Sequence, residues 1–124
     1  MSDVTILHNR NCSTSRFATE AAASAGVAAD VVEYLKQPLD AAALADLLDK
    51  LEDPPTDLVR RDAFFTQSGL TDADVQTREQ IIAVLVEHPR LLQRPVLVRG
   101  DRAIIGRPKD RVADFLESCP VLNS

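Results

Sequence analysis

The first 35 residues hold two β-branched runs separated by an alanine-rich helical pattern, and that order constrains the fold more than any other feature. Residues 3–8 (Asp-Val-Thr-Ile-Leu-His) alternate and read as a strand. After a polar loop, Ser13 or Thr14 can cap a helix that runs to about Ala25, with Gly26 as its stop. Phe17, Ala18, Ala21, Ala22 and Ala25 give that helix one apolar face, mostly small, which allows close packing on a sheet. Val31-Val32-Glu33-Tyr34-Leu35 is a second strand, stopped by Pro38. A strand–helix–strand unit makes its two strands parallel, because the helix carries the chain back to the starting end of the sheet.

Asp40 caps the next helix, whose Leu44, Leu47, Leu48 and Leu51 follow the i, i+3, i+4, i+7 spacing of a buried stripe. Asp53-Pro54-Pro55-Thr56 breaks it, and residues 57–76 read as irregular chain with short helical turns. Thr77 caps a helix to about His88, with Ile81, Val84, Leu85 and His88 on one face and Pro89 at its end. Residues 96–98 and 103–105 are short strands joined through Arg99-Gly100-Asp101-Arg102, a hairpin. Pro108 begins a last helix with Val112, Phe115, Leu116 and Cys119 on its apolar side, so Cys119 reads as a core residue. The order βαβ, helices, ββα predicts an α/β fold of thioredoxin-like layout: a four-stranded mixed sheet flanked by helices, with a helical insertion. At 124 residues the chain suits one domain, spanning 1–124.

Charge and composition narrow the function. The net charge of −5 argues against a general binder of nucleic acid or membrane surfaces. No apolar run approaches the roughly 20 residues of a membrane span, and no secretory signal pattern opens the chain, which points to the cytoplasm. Residues 90–111 nonetheless carry seven basic side chains against two acidic ones, the signature of a local anion site. No aromatic residue lies among them, which speaks against single-stranded nucleic acid.

Cys12 is the reactive candidate. It lies between a strand and the first turn of a helix, where unpaired N–H groups and the helix dipole favour thiolate over thiol. Arg10 and Arg16 flank it with positive charge, and its polar surroundings suit an accessible sulfur rather than an inert core one. Ser15 stands where a Cys-x-x-Cys dithiol needs its second sulfur, and Ala18 where a Cys-x5-Arg phosphatase loop needs its arginine. Only His8 is close enough in sequence to join Cys12 as a metal ligand, which is too few. A lone thiolate turns over only if another thiol resolves its adduct. If its substrate is an oxyanion, fixed guanidinium groups must offset the repulsion; Arg60, Arg61, Arg94 and Arg107 are the candidates. Arg94 precedes Pro95 at the start of a strand, the place where thioredoxin-like folds set a cis-proline facing the redox cysteine.

The loop His8-Asn9-Arg10-Asn11-Cys12-Ser13-Thr14-Ser15-Arg16 resembles the active-site loop of the glutaredoxin-coupled arsenate reductases, the ArsC-like branch of the thioredoxin fold. Val32-Glu33-Tyr34-Leu35-Lys36, Arg60-Arg61, Glu87-His88-Pro89, Leu92-Gln93-Arg94-Pro95-Val96 and Ile104-Ile105-Gly106-Arg107-Pro108 are similar to its further motifs, in the same order. The resemblance implies that Cys12 is the nucleophile and that Arg60, Arg94 and Arg107 hold the oxyanion. It implies that His8, Ser15, Arg16 and Pro95 support the loop. It further implies arsenate as substrate, glutathione or another low-molecular-weight thiol as co-substrate, a glutaredoxin-type protein as partner, and no bound metal or other cofactor. Two other expectations remain open at this point. One is a redox-linked interaction protein like the RNA-polymerase-binding sister branch, although Ser15 removes that branch's Cys-x-x-Cys switch. The other is a general glutathione-dependent disulfide reductase.

Overall fold

A computed structural model describes residues 4–107 and 110–117. Its sheet has four strands in the order β2-β1-β3-β4. Strand β1 (Val4–His8) pairs in parallel with β2 (Ala29–Glu33) and antiparallel with β3 (Val96–Arg99). Strand β3 in turn pairs antiparallel with β4 (Arg102–Ile105), and Gly100 takes the positive φ of 56° that their tight turn requires. The thioredoxin-like mixed sheet expected from the sequence is therefore present.

Alternation along the central strands feeds two cores, one on each face of the sheet. Val4, Ile6, Leu97 and Ile104 meet Ala18 and Ala22 of α1 (Ser13–Ser24) and Val112, Phe115 and Leu116 of α5 (Asp110–Glu117). Leu7, Val96, Ala103 and Ile105 point the other way, onto α2 (Ala41–Lys50) and α4 (Arg78–Glu87). The expected stripes fill this second core with Leu44, Leu47 and Leu48 from α2 and Ile81, Val84 and Leu85 from α4. Asp40 caps α2 through the Ala43 N–H, and Thr77 and Gln80 cap α4 reciprocally. The insertion before α4 holds two single 3-10 turns, Pro55–Leu58 and Asp72–Val75, around the short helix α3 (Ala63–Gln67).

Three boundaries differ from the sequence reading. Strand β2 ends at Glu33, because the N–H groups of Lys36 and Gln37 both turn back to the Glu33 carbonyl. Leu35 therefore leaves the sheet, 43% exposed, while Tyr34 in the turn is buried. On α1 the buried line is Ser15, Ala18 and Ala22, which leaves Phe17 36% exposed and makes Ala25 the C-cap. Leu51 caps α2 and forms a bridge to Ala103. The expectations for Asp3, Pro108 and Cys119 fall outside the described residues.

Of the four glycines, Gly106 alone has close neighbours where a Cβ would stand. A Cβ there would stand 2.9 Å from Pro95 Cγ and 3.0 Å from both Leu97 Cδ1 and Val112 Cγ2. The proline ring cannot swing aside, so Gly106→Ala is expected to destabilise the fold by about 1–3 kcal/mol, the range for overpacking. Urea denaturation of the two proteins measures it.

Candidate active site

The site forms where the β1–α1 loop meets the starts of two other chain segments. Cys12 is the N-cap of α1, with extended backbone angles that end the loop and begin the helix. The loop is held from within. The Cys12 N–H bonds the Asn9 carbonyl at 3.0 Å, and the Asn11 N–H bonds Asn9 Oδ1 at 2.9 Å. Arg16 Nη1 donates to the Arg10 carbonyl at 2.8 Å, and Arg10 itself pairs with Glu33 at 3.2 Å. The two flanking arginines therefore brace the loop and its neighbouring strand.

Beneath the loop lie His8 and Ser15, both buried. Ser15 Oγ accepts the Asn9 N–H at 3.0 Å and stands 2.6 Å from His8 Nδ1. The serine hydroxyl is thus spent below the loop, not offered to a substrate above it, since its position on α1 faces the sheet. Burial holds the His8 imidazole below its ordinary value near 6.5, against the upward pull of Glu33. The unfolded chain binds that proton more readily, so the stability contributed above about pH 6.5 is lost as the pH falls through the folded value. The denaturation midpoint is expected to drop as pH is lowered from roughly 8 to 5, with a shallower slope in a neutral His8→Gln variant.

The cations come from distant segments. Arg107 follows β4, and its Nη2 donates to Cys12 Sγ at 3.3 Å. Its Nε donates to the Arg94 carbonyl at 2.7 Å, and the Gly106 N–H bonds the Pro95 carbonyl at 2.8 Å. Residues 94–95 and 106–107 are thereby locked side by side. The Arg94–Pro95 bond is cis, as the sequence placed it. Partial burial pushes the Cys12 thiol up. The Ser15 N–H, the Arg94 side chain, the Thr14 N–H and the Arg107 charge together outweigh that, leaving it below the ordinary thiol value. Arg94 Nε is buried and has no hydrogen-bond partner among the described residues.

Arg60 reaches the cluster through an antiparallel bridge between Val59 and Leu92. The Arg60 N–H bonds the Leu91 carbonyl and the Gln93 N–H bonds the Leu58 carbonyl, each at 2.8 Å. The Arg60 guanidinium pairs with Asp62 at 3.3 Å. Burial lowers its affinity for its proton, and the fields of Arg94 and Arg107 lower it further. Arg61, one residue on, is engaged with other partners: it bonds the Thr56 and Val59 carbonyls and Asp72. Those bonds separate two arginines that looked equivalent in the sequence.

The chain as a whole resembles known proteins in sequence and fold. The signature of the ArsC family matches residues 7–115. The chain belongs to the ArsC family. Over 115 residues it is 36% identical to YfgD of Escherichia coli K12, covering 91% of this chain and 96% of that protein. It is 32% identical over 118 residues to an arsenate reductase of Neisseria meningitidis serogroup B, covering 94% of this chain and all of that one. An arsenate reductase structure from Vibrio cholerae superposes with a TM-score of 0.80 at 28% identity, covering 91% of this chain and 97% of that one.

In this ArsC-family chain, then, the fold brings Cys12, Arg94 and Arg107 together, sets Arg60 beside the two arginines, and places His8 and Ser15 below. No group of three or more His, Cys, Asp or Glu side chains converges among the described residues. No helix among them is long and apolar enough to cross a membrane. One neighbour of the site had no role in the sequence reading. Tyr34 is buried, and its hydroxyl donates to the Leu92 carbonyl at 3.4 Å, two residues before Arg94. Its only sequence signal is that it is the sole tyrosine of the chain, in a run where every other position is aliphatic or charged.

Proposed function

We propose that this protein reduces arsenate to arsenite through a covalent adduct on Cys12, with glutathione or a similar thiol and a glutaredoxin-type protein completing the cycle. The observation that carries the reading is the convergence of two guanidinium groups on one thiolate-favouring sulfur. The arginines offset the repulsion between a thiolate and an oxyanion, and their planar forks match arsenate oxygens. Arg94 Nε, buried without a partner, is a donor suited to such an oxygen. Arg60 adds a third charge from the side of Asp62.

The chemistry runs as three thiol steps. The Cys12 sulfur displaces one hydroxyl of arsenate, which leaves as water after taking a proton, and an S–As bond forms. A second thiolate then attacks the Cys12 sulfur. An S–S bond forms, the S–As bond breaks, and its electron pair stays on arsenic, which passes from As(V) to As(III). Arsenite leaves, and the partner protein's thiolate attacks the mixed disulfide and frees Cys12. Cys12 has no second sulfur at position 15, so the resolving thiol comes from outside the loop. Such a cycle belongs in the reducing cytoplasm, where its thiol donors are maintained.

A coupled assay tests the proposal: NADPH consumption with glutathione, a glutaredoxin and glutathione reductase, with and without arsenate. The expected result is arsenate-dependent consumption that falls to background when thioredoxin and its reductase replace the glutathione system. Turnover of a glutathione mixed disulfide with no gain from arsenate contradicts it and selects a general disulfide reductase.

A further inference from the structure

A cleft of about 280 Å³ adjoins the active site, lined by Asp53, Asp57, Arg61, Gln93, Arg107 and Arg111. Its size approaches the roughly 300 Å³ at which small-molecule clefts begin. It shares a side chain with the reactive sulfur: Arg107, which lines the cleft, donates from Nη2 to Cys12 Sγ at 3.3 Å. The Arg107 side of the cleft is firmly built. Asp53 Oδ2 accepts the Ile105 N–H at 2.9 Å, and Asp53 Oδ1 pairs with Arg111 Nη1 at 2.9 Å. Arg111 Nη1 also donates to the Arg107 carbonyl at 3.4 Å.

The charges of the cleft are only partly answered by the protein. Arg61 is held by Asp72 and Arg111 by Asp53. Asp57, exposed on the 3-10 turn Pro55–Leu58, makes no ion pair or side-chain hydrogen bond among the described residues. Arg107 pairs with no carboxylate among them, and Arg111 spends only Nη1, leaving Nε and Nη2 as donors. The lining thus offers an acceptor for a cation and donors for anions, with three guanidinium groups against two carboxylates. A simple oxyanion would meet those carboxylates, and a neutral ligand would leave both signs unanswered. A ligand that carries both signs complements the cleft.

We infer that this cleft binds the resolving thiol, a zwitterionic peptide thiol of the glutathione type, with Asp57 taking its ammonium group, Arg111 a carboxylate, and its sulfur passing Arg107 to reach Cys12. The inference rests on the reading that an external thiol resolves the Cys12 adduct, and adds where that thiol sits and which charges select it.

A disulfide exchange on Cys12 tests it without arsenate. In a Cys119→Ser background Cys12 is the only thiol. It is loaded as a mixed disulfide with 5-thio-2-nitrobenzoate. An added thiolate attacks the Cys12 sulfur, a new S–S bond forms, and the coloured thiolate leaves with the electron pair of the broken bond. The rate is followed against the concentration of glutathione or of neutral 2-mercaptoethanol. Glutathione is expected to saturate the protein, while the 2-mercaptoethanol rate rises linearly. In Asp57→Asn and in Arg111→Gln the half-saturating glutathione concentration is expected to rise at least about threefold, with the 2-mercaptoethanol rate little changed. A linear glutathione curve in the parent protein overturns the inference. So does saturation that both variants leave unchanged, and so do equal losses with both thiols, which report a disturbed Cys12 rather than a lost binding site. Saturation that depends on Asp57 and Arg111 in a protein with no arsenate-dependent turnover refutes arsenate as the substrate and upholds the thiol site.

Discussion

Cys12→Ser is expected to abolish arsenate-dependent NADPH consumption, a loss of more than about a thousandfold, as when a covalent nucleophile is removed. The hydroxyl is a far weaker nucleophile than a thiolate and cannot form the mixed disulfide that carries electrons to arsenic. Folding should survive the change. Cys12 is only half-buried, its backbone caps α1 with extended angles that serine adopts readily, and a serine oxygen can take the Arg107 Nη2 donor that lies 3.3 Å from Sγ. Circular dichroism and the denaturation midpoint of the variant are therefore expected to match the wild type while its rate sits at background. A variant that retains the wild-type rate refutes the assignment of the nucleophile.

Arg94→Ala and Arg107→Ala carry the second large effect. Each removes a charged donor from the sulfur's surroundings, and a charged hydrogen bond is worth about 1.5–3 kcal/mol. That corresponds to roughly a 10- to 100-fold loss in kcat/KM for arsenate. The two arginines differ in what else they hold. Arg107 also ties the Arg94 carbonyl through its Nε, so its loss loosens residues 94–95 as well. Both substitutions remove influences that favour the thiolate, so both are expected to raise the pH at which Cys12 ionises. The thiolate absorbance near 240 nm, followed against pH, measures that shift. Rates and ionisation that stay at wild-type values in both variants contradict the proposed roles.

The parts of this site differed in how far the sequence disclosed them. Cys12 was legible because its signals are local: a strand, a polar loop, then a helix start that any pattern reading finds. The βαβ and ββα halves were legible for the same reason, since alternation in 96–98 and 103–105 and the leucine stripe of α2 each span only a few residues. The partnership of Arg60 with Arg94 was not written in any local pattern. It depends on the Val59–Leu92 bridge, which joins two irregular segments and alone decides that Arg60 faces the cluster while Arg61 turns toward Asp72. The sequence named Ser15 as a support of the loop but not its partners: the helical phase of α1 turns its hydroxyl to His8 and to the Asn9 N–H, while the Ser15 N–H acts on the sulfur. Tyr34 read as an ordinary strand residue, since neither the early end of β2 at Glu33 nor the approach of Leu92 can be seen in the run Val31-Val32-Glu33-Tyr34-Leu35.

In the proposed cycle these arginines hold an oxyanion against an ionised Cys12. Protection of Cys12 from iodoacetamide by arsenate, followed as the labelling rate against arsenate concentration with no second thiol present, tests it most directly. Saturable slowing is expected in the wild-type protein, with the curve displaced to at least about tenfold higher arsenate in Arg94→Ala. A labelling rate that ignores arsenate at every concentration contradicts it.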